Sequence, residues 1–182
     1  RMISVVRKFP LMSFPFFVLA GTRMESGGIS KRIVNFAKAV VSPLPGGLAM
    51  VVVIASIIFA AMTGAGAATT AAIGSIMIPA MIKEGYDPDY SCALQASAGI
   101  FGPLIPPSIL MVLYGVTSGV SVGDMLLSGV MPGLLMGVLV LLVVIYYALR
   151  HGYKGTEKFH IKNVLRTFVE AFWAILTPVI IL

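Results

Sequence analysis

Charge is what this sequence has least of. Only 11% of its 182 residues are charged, seven of them acidic, while 58% are hydrophobic. A soluble domain carries roughly a quarter charged residues, so the deficit excludes an ordinary water-soluble protein. Cysteine is nearly absent: Cys92 stands alone, which excludes an internal disulfide, and a small buried apolar role is expected of it. Short alternating strands of the β-barrel kind are lacking. So are a P-loop lysine motif and any His, Cys or carboxylate cluster with metal-ligand spacing. The acidic residues fall in or near expected loops and helix ends, leaving no buried carboxylate for a proton relay. Gly119–Gly123 matches a nucleophile-elbow pattern without the strand-to-helix setting that would give it meaning, and His151 and His160 belong to a solvated basic loop. No enzyme is read here. The net charge of +6 does not indicate nucleic acid, because no basic stripe interleaves with stacking aromatics.

Long uncharged runs are what the sequence does contain. Residues 39–82, 90–123 and 125–149 hold no charge, over 44, 34 and 25 residues. About 20 apolar residues cross a bilayer, so each run can span or enter and return. The fold class is an all-α polytopic membrane protein. The chain opens on Arg1 and closes inside an apolar stretch at Leu182, so it is expected to be a fragment. Apolar residues 9–22, interrupted by Pro10 and Pro15, read as the end of a span.

Residues 29–41 read as an amphipathic helix capped by Ser30. Ile29, Ile33, Phe36, Ala37 and Val40 form its apolar face, with Lys31, Arg32, Asn35 and Lys38 opposite. Such a helix lies in the interface or connects membrane blocks. Pro43–Gly47 ends it.

Residues 48–82 are too long for one span. Their centre, Met62–Thr70, is small and flexible, flanked by arms of about 16 residues that are slightly short of a span. A hairpin turning near mid-depth at residues 63–66 is the economical reading; two tight spans joined by a short loop is the other. Ala60, Gly64, Ala68 and Ala72 repeat every four residues as a packing signal. Asp87-Pro88 is a good helix start. Residues 88–118 are interrupted by Gly102-Pro103-Leu104-Ile105-Pro106-Pro107-Ser108. Each proline removes a donor and clashes with the carbonyl one turn back, so two half-helices are expected rather than a kinked span. Unwound backbone in a bilayer survives where it is buried in protein or lines a cavity. Hairpin tips meeting broken helices build the ion and substrate sites of secondary transporters. Carbonyls and hydroxyls at Thr63–Gly66 and Gly102–Ser108 suit Na⁺ better than protons. Residues 125–149 form a plain span with a Gly129, Gly133, Gly137 packing ridge, and 164–182 begin another helix containing Trp173 and Pro178. Loops 22–45, 83–89 and 150–166 carry ten of the thirteen Lys and Arg residues, and 119–124 carries none. The basic face is the cytoplasmic one.

At particular stretches the sequence resembles the large membrane subunit of the tripartite ATP-independent periplasmic (TRAP) transporters. In order these are Phe14–Gly21, Glu25–Ile29, Gly46–Ala49, Thr63-Gly64 with Ala68-Thr69, Pro79–Met81, Gly85-Tyr86, Gly102–Ser108, Tyr114-Gly115 and Gly129–Gly133. The resemblance implies one half of an inverted-repeat, elevator-type transporter in the bacterial inner membrane, driven by sodium, with no other cofactor. It implies scaffold and interfacial helices over 1–45 and a re-entrant hairpin over 46–83. A broken helix over 84–118 and further scaffold spans with a basic loop over 119–182 complete the division. It implies organic-acid cargo such as C4-dicarboxylates or sialic acids, a periplasmic substrate-binding protein and a small membrane subunit. The first sodium site would draw on Ala60, Thr63, Gly64, Gly66, Gly102, Ile105 and Pro107, and the substrate path on Thr69, Pro106 and Ser108. Where the family often has serines after the tip glycine, this chain has Ala65 and Gly66, so no hydroxyl is offered there. Two rivals stay open: a stand-alone sodium/dicarboxylate symporter of related design, and a structural subunit whose hairpin only packs. A fragment with half of its transport unit missing is not expected to fold stably alone.

Overall fold

The computed structural model describes residues 28–153, 166–168 and 171. The apolar stretch 9–22, His160 and most of the basic loop, and the Trp173 and Pro178 region lie outside them. Among the described residues every regular element is a helix. In order they are α1 (Ile29–Val41), α2 (Gly47–Thr63), α3 (Gly66–Lys83), α4 (Pro88–Gly99), α5 (Phe101–Leu104), α6 (Ile109–Ser118) and α7 (Val122–His151). Gly66–Lys83, Pro88–Ser118 and Val122–His151 are long and apolar enough to cross a membrane, and Gly47–Thr63 is a shorter apolar helix.

α2 is the centre. Its sequence is apolar on every side, as a helix buried all round must be, and Leu48 to Val53, Ala55, Ser56, Phe59 and Ala60 are buried along it. α1, α3, α4, α5 and α7 all pack against it. At about 1.5 Å per residue its 17 residues cover roughly 26 Å, less than the hydrocarbon thickness.

α1 has the expected bounds, but Ser30 does not cap it. The helix starts two residues earlier than a Ser30 cap requires, from Gly28 in the left-handed region, and Ser30 is buried inside. The stripe facing the core is Ser30, Ile33, Val34, Ala37 and Val41, rotated from the expected one, so that Val40 is exposed. Phe36 instead meets Phe168, ring centres 5.7 Å apart.

Two residues, Gly64 and Ala65, separate α2 from α3, and the helices fold back as a hairpin. The four-residue repeat Ala60, Gly64, Ala68, Ala72 therefore is not one helical ridge. Gly64 ends α2 at φ +62°, which turns the chain and puts the later members on another helix. Beyond α3, Asp87 caps α4: its carboxylate accepts from the Asp89 amide at 2.8 Å, and Pro88 occupies the first helical position. Asp87→Ala is expected to lower stability by about 1 kcal/mol, read as an earlier thermal midpoint in detergent with the same cooperativity.

Cys92 is exposed rather than buried. α4 turns Ser91, Leu94, Gln95, Ala98 and Gly99 inward, and position 92 falls just outside that arc. α7 runs for 30 residues with Pro132 inside it. Gly129, Gly133 and Gly137 face the other helices, while Met131, Leu135, Leu142 and Val143 point outward as a bilayer-facing surface does. His151 is the last helical residue of α7 and not part of a loop. It is exposed, and it stacks on Tyr147 at 3.9 Å. Tyr147 stacks on Tyr90 at 4.0 Å and Tyr153 on Tyr86 at 4.1 Å, tying the end of α7 to the α3–α4 turn. Burial, and then the Tyr153 ring, pushes the Tyr86 phenol up to about 12, so it stays neutral in that turn.

Candidate functional site

The hairpin tip is built without charge. Thr63 ends α2, and the amide of Gly64 donates to Ala60 O at 2.8 Å. Ala65 is extended and α3 starts at Gly66 with no side-chain cap. Thr63 Oγ1 donates to Phe59 O at 3.1 Å. Thr69 Oγ1 lies 3.0 Å from Ala65 O and 3.3 Å from Thr63 Oγ1. Each hydroxyl has one proton and two lone pairs. With the Thr63 proton committed to Phe59 O, the two oxygens retain acceptor capacity side by side while both residues are buried.

The break is narrower than Gly102–Ser108. Gly102, Pro103 and Leu104 form the short helix α5, which Ile105 closes through its amide to Phe101 O at 2.8 Å. Pro103 fits there because a first-turn residue needs no amide donor. The unwound part is 105–108. Proline also dictates which carbonyls are left without their helical donor. Gly99, Gly102 and Pro103 would each be served by a residue four ahead, and those residues are Pro103, Pro106 and Pro107. Ser108, 1% exposed, starts α6 by accepting from the Met111 amide at 3.4 Å.

Tip and break meet backbone to backbone. The Ile109 amide donates to Gly64 O at 3.3 Å. A Cβ on Gly64 would collide with Pro107 O. One on Gly66 would lie 2.7 Å from Gly99 O, and one on Gly102 would lie 2.5 Å from Ala65 C and 2.6 Å from Gly66 Cα. Of the residues read from sequence, Thr63, Gly64, Gly66 and Thr69 thus gather at the tip, with Gly102 and Pro107 directly against it. Ala60 contributes a carbonyl already accepting from Gly64. Ile105 is turned toward α7, where it packs on Gly133. Pro106 is buried in the break and Ser108 serves as a helix cap.

Sequence reading missed Gly99, whose missing side chain leaves room for Thr70, and Gln95, a buried amide one turn before it. Both had signals: a glycine four residues ahead of a proline, and an amide inside an uncharged run. It also missed what backs the break. Gly129 leaves room for Leu104 O and Met111, and Gly137 for Ile57 of α2.

The chemistry on offer is that of neutral oxygens and helix ends. No group of three or more His, Cys, Asp or Glu able to hold a metal occurs among the described residues. The N-termini of α3 and α6 bring partial positive charge to the junction and the C-terminus of α2 brings partial negative charge.

A protein-family model, "Tripartite ATP-independent periplasmic transporter, DctM component", matches residues 1–182. Curated relatives agree. A C4-dicarboxylate TRAP transporter large permease protein of Vibrio cholerae is 46% identical over 175 residues, 96% of this chain and 38% of that protein. An isethionate TRAP transporter permease protein of Oleidesulfovibrio alaskensis is 41% identical, covering 97% of this chain and 28% of that protein. A sialic acid TRAP transporter permease protein of Haemophilus influenzae is 36% identical, covering 100% and 30% respectively. The chain therefore spans between about a quarter and two-fifths of the length of these relatives.

Proposed function

The chain belongs to the DctM family of tripartite ATP-independent periplasmic transporters, and from that premise we propose that it forms part of a sodium-coupled permease importing organic acids across a bacterial inner membrane. The carrying observation is the junction of hairpin tip and helix break, where two buried hydroxyls belong to a tip whose glycines pack against the carbonyls of Gly99 and Pro107. Hard cations take oxygen ligands, and freed carbonyls with helix C-termini hold them in transporters. Na⁺ would draw on the Thr63 hydroxyl and on carbonyls among Ala60, Gly64, Gly66, Gly102, Ile105 and Pro107. The substrate anion would approach the starts of α3 and α6, near Thr69, Pro106 and Ser108, where helix dipoles favour negative charge. Relatives named for C4-dicarboxylate, isethionate and sialic acid support an organic anion as cargo. In this reading α2 and α3 form a re-entrant hairpin that enters and leaves by one side, and α2 to α6 move past α7 as an elevator. A periplasmic binding protein delivers the cargo and a small membrane subunit completes the scaffold. The basic loops face the cytoplasm.

The test is uptake of labelled organic acids into liposomes holding the full-length protein with its small subunit. Uptake is expected to need both an inward sodium gradient and the cognate binding protein. Uptake on sodium alone would indicate a stand-alone symporter, and uptake indifferent to sodium would remove the coupling ion. Thr63→Val keeps the shape and deletes the hydroxyl. Its half-saturating sodium concentration is expected to rise about tenfold, in line with losing a partner for a buried polar group, with little change in maximal uptake at saturating sodium.

A further inference from the structure

Gln95 is the one long polar side chain recorded as fully buried within the candidate spans among the described residues. It is 1% exposed, on α4, about one turn before Gly99, where that helix ends. Its Nε2 lies 3.5 Å from the carbonyl of Thr69, on the hairpin's second arm, and donates to it. Thr69 in turn carries the hydroxyl 3.3 Å from Thr63 Oγ1. The Gln95 stem lies against Gly74, one turn further along α3, where a Cβ would come within 3.0 Å of Gln95 Cγ. Its Oε1 is buried with no partner. An amide kept inside an apolar helix bundle with its oxygen unpartnered is costly. Replacement by an apolar residue of equal length would relieve that cost, so packing alone does not account for it.

We infer that Gln95 is a positioning residue: its amide holds the first turns of α3 against α4 and so sets where the Thr63–Thr69 hydroxyl pair stands relative to the break. The inference rests on the sodium reading of that pair for its functional consequence, but not for its structural one. The link is local and directional. It ties the hairpin to the helix that precedes the break, whereas the Ile109 amide to Gly64 O ties it to the helix that follows. It predicts an effect on ion affinity rather than on the amount of folded permease.

The experiment uses the full-length permease with its small subunit and two variants. Gln95→Met removes the amide at nearly constant length. Gly74→Ala keeps the amide and pushes on its stem. In Gln95→Met the half-saturating sodium concentration is expected to rise about fivefold, the scale of an interhelical hydrogen bond in a membrane, with maximal uptake nearly unchanged. Gly74→Ala is expected to give a smaller shift in the same direction. Hydrogen exchange is followed in parallel, and peptides covering 63–73 should exchange faster while those covering 122–151 do not. An unchanged sodium curve with unchanged exchange at 63–73 would overturn the inference and leave Gln95 a packing residue, as would loss of maximal uptake alone. If wild-type uptake ignores sodium, the sodium reading fails and exchange decides Gln95 by itself. Faster exchange confined to 63–73 would then sustain the positioning role, and no change there would end it.

Discussion

Gly102→Ala is expected to reduce uptake at least about 100-fold and to lower the thermal midpoint, because the added methyl has nowhere to go. Its nearest neighbours would be the Gly66 amide nitrogen, Ala65 C at 2.5 Å and Gly66 Cα at 2.6 Å. All are backbone atoms, so no rotamer change relieves the contact and the hairpin tip must lift off the break. Overpacking a tight core costs about 1–3 kcal/mol, and more where nothing yields. Here that strain falls on the surface where the ion and substrate would be held. Gly64→Ala carries a second penalty. Its Cβ meets Pro107 O, and its φ of +62° costs an L-residue about 1–2 kcal/mol. Gly123→Ala is the matched control: the nearest atom to its new Cβ is Ser121 Oγ at 3.8 Å, and uptake should be unaffected. If Gly102→Ala transports like the wild type, the tip and break do not work in the contact described.

Gly129→Leu is expected to cut uptake about tenfold or more, equal to about 1.4 kcal/mol, through overpacking against the outer side of the break. The first added carbon would sit 2.9 Å from Leu104 O and 2.5 Å from Met111 Cε. The methionine end can swing away; the carbonyl cannot. α7 would be displaced from α5 and α6, and Gly133 would lose its fit to Ile105. Small residues at four-residue spacing let helices approach closely in lipid, where no hydrophobic force drives them together. The effect should grade along the ridge. Gly137→Ala meets only the flexible end of Ile57 at 3.0 Å and should cost little. Equal losses at Gly129 and Gly137 would mean that the ridge acts as a general packing seam and not as support for the break.

Local signals were read well where they are local in cause. The bounds of α1, the Asp87-Pro88 start and a hairpin turn within residues 63–66 all follow from a residue's own backbone preferences or missing amide. The same is true of a break within residues 102–108, which the structure narrows to 105–108. Readings failed where a neighbour decides. Ser30 is buried against other helices instead of capping, Cys92 faces outward because α4 turns a different arc inward, and Val40 lost its place on the core face to Val34. Gly102 and Pro103 remained helical because a four-residue turn tolerates proline in its first positions, a detail of length that spacing alone does not disclose.

By itself the sequence determined that this chain lives in a membrane, that residues 48–82 fold back on themselves and that the helix over 88–118 is interrupted. Scarcity of charge, glycine's access to positive φ and proline's missing amide are properties of single residues and short runs. Only the tertiary structure decided that the turn at Gly64–Gly66 rests on Gly99, Gly102 and Pro107, that Gln95 reaches Thr69, and that the glycine ridge of α7 backs the break. Those are contacts between segments tens of residues apart. They depend on which helix fills the space left by an absent side chain, and that is fixed by how all the helices pack around α2.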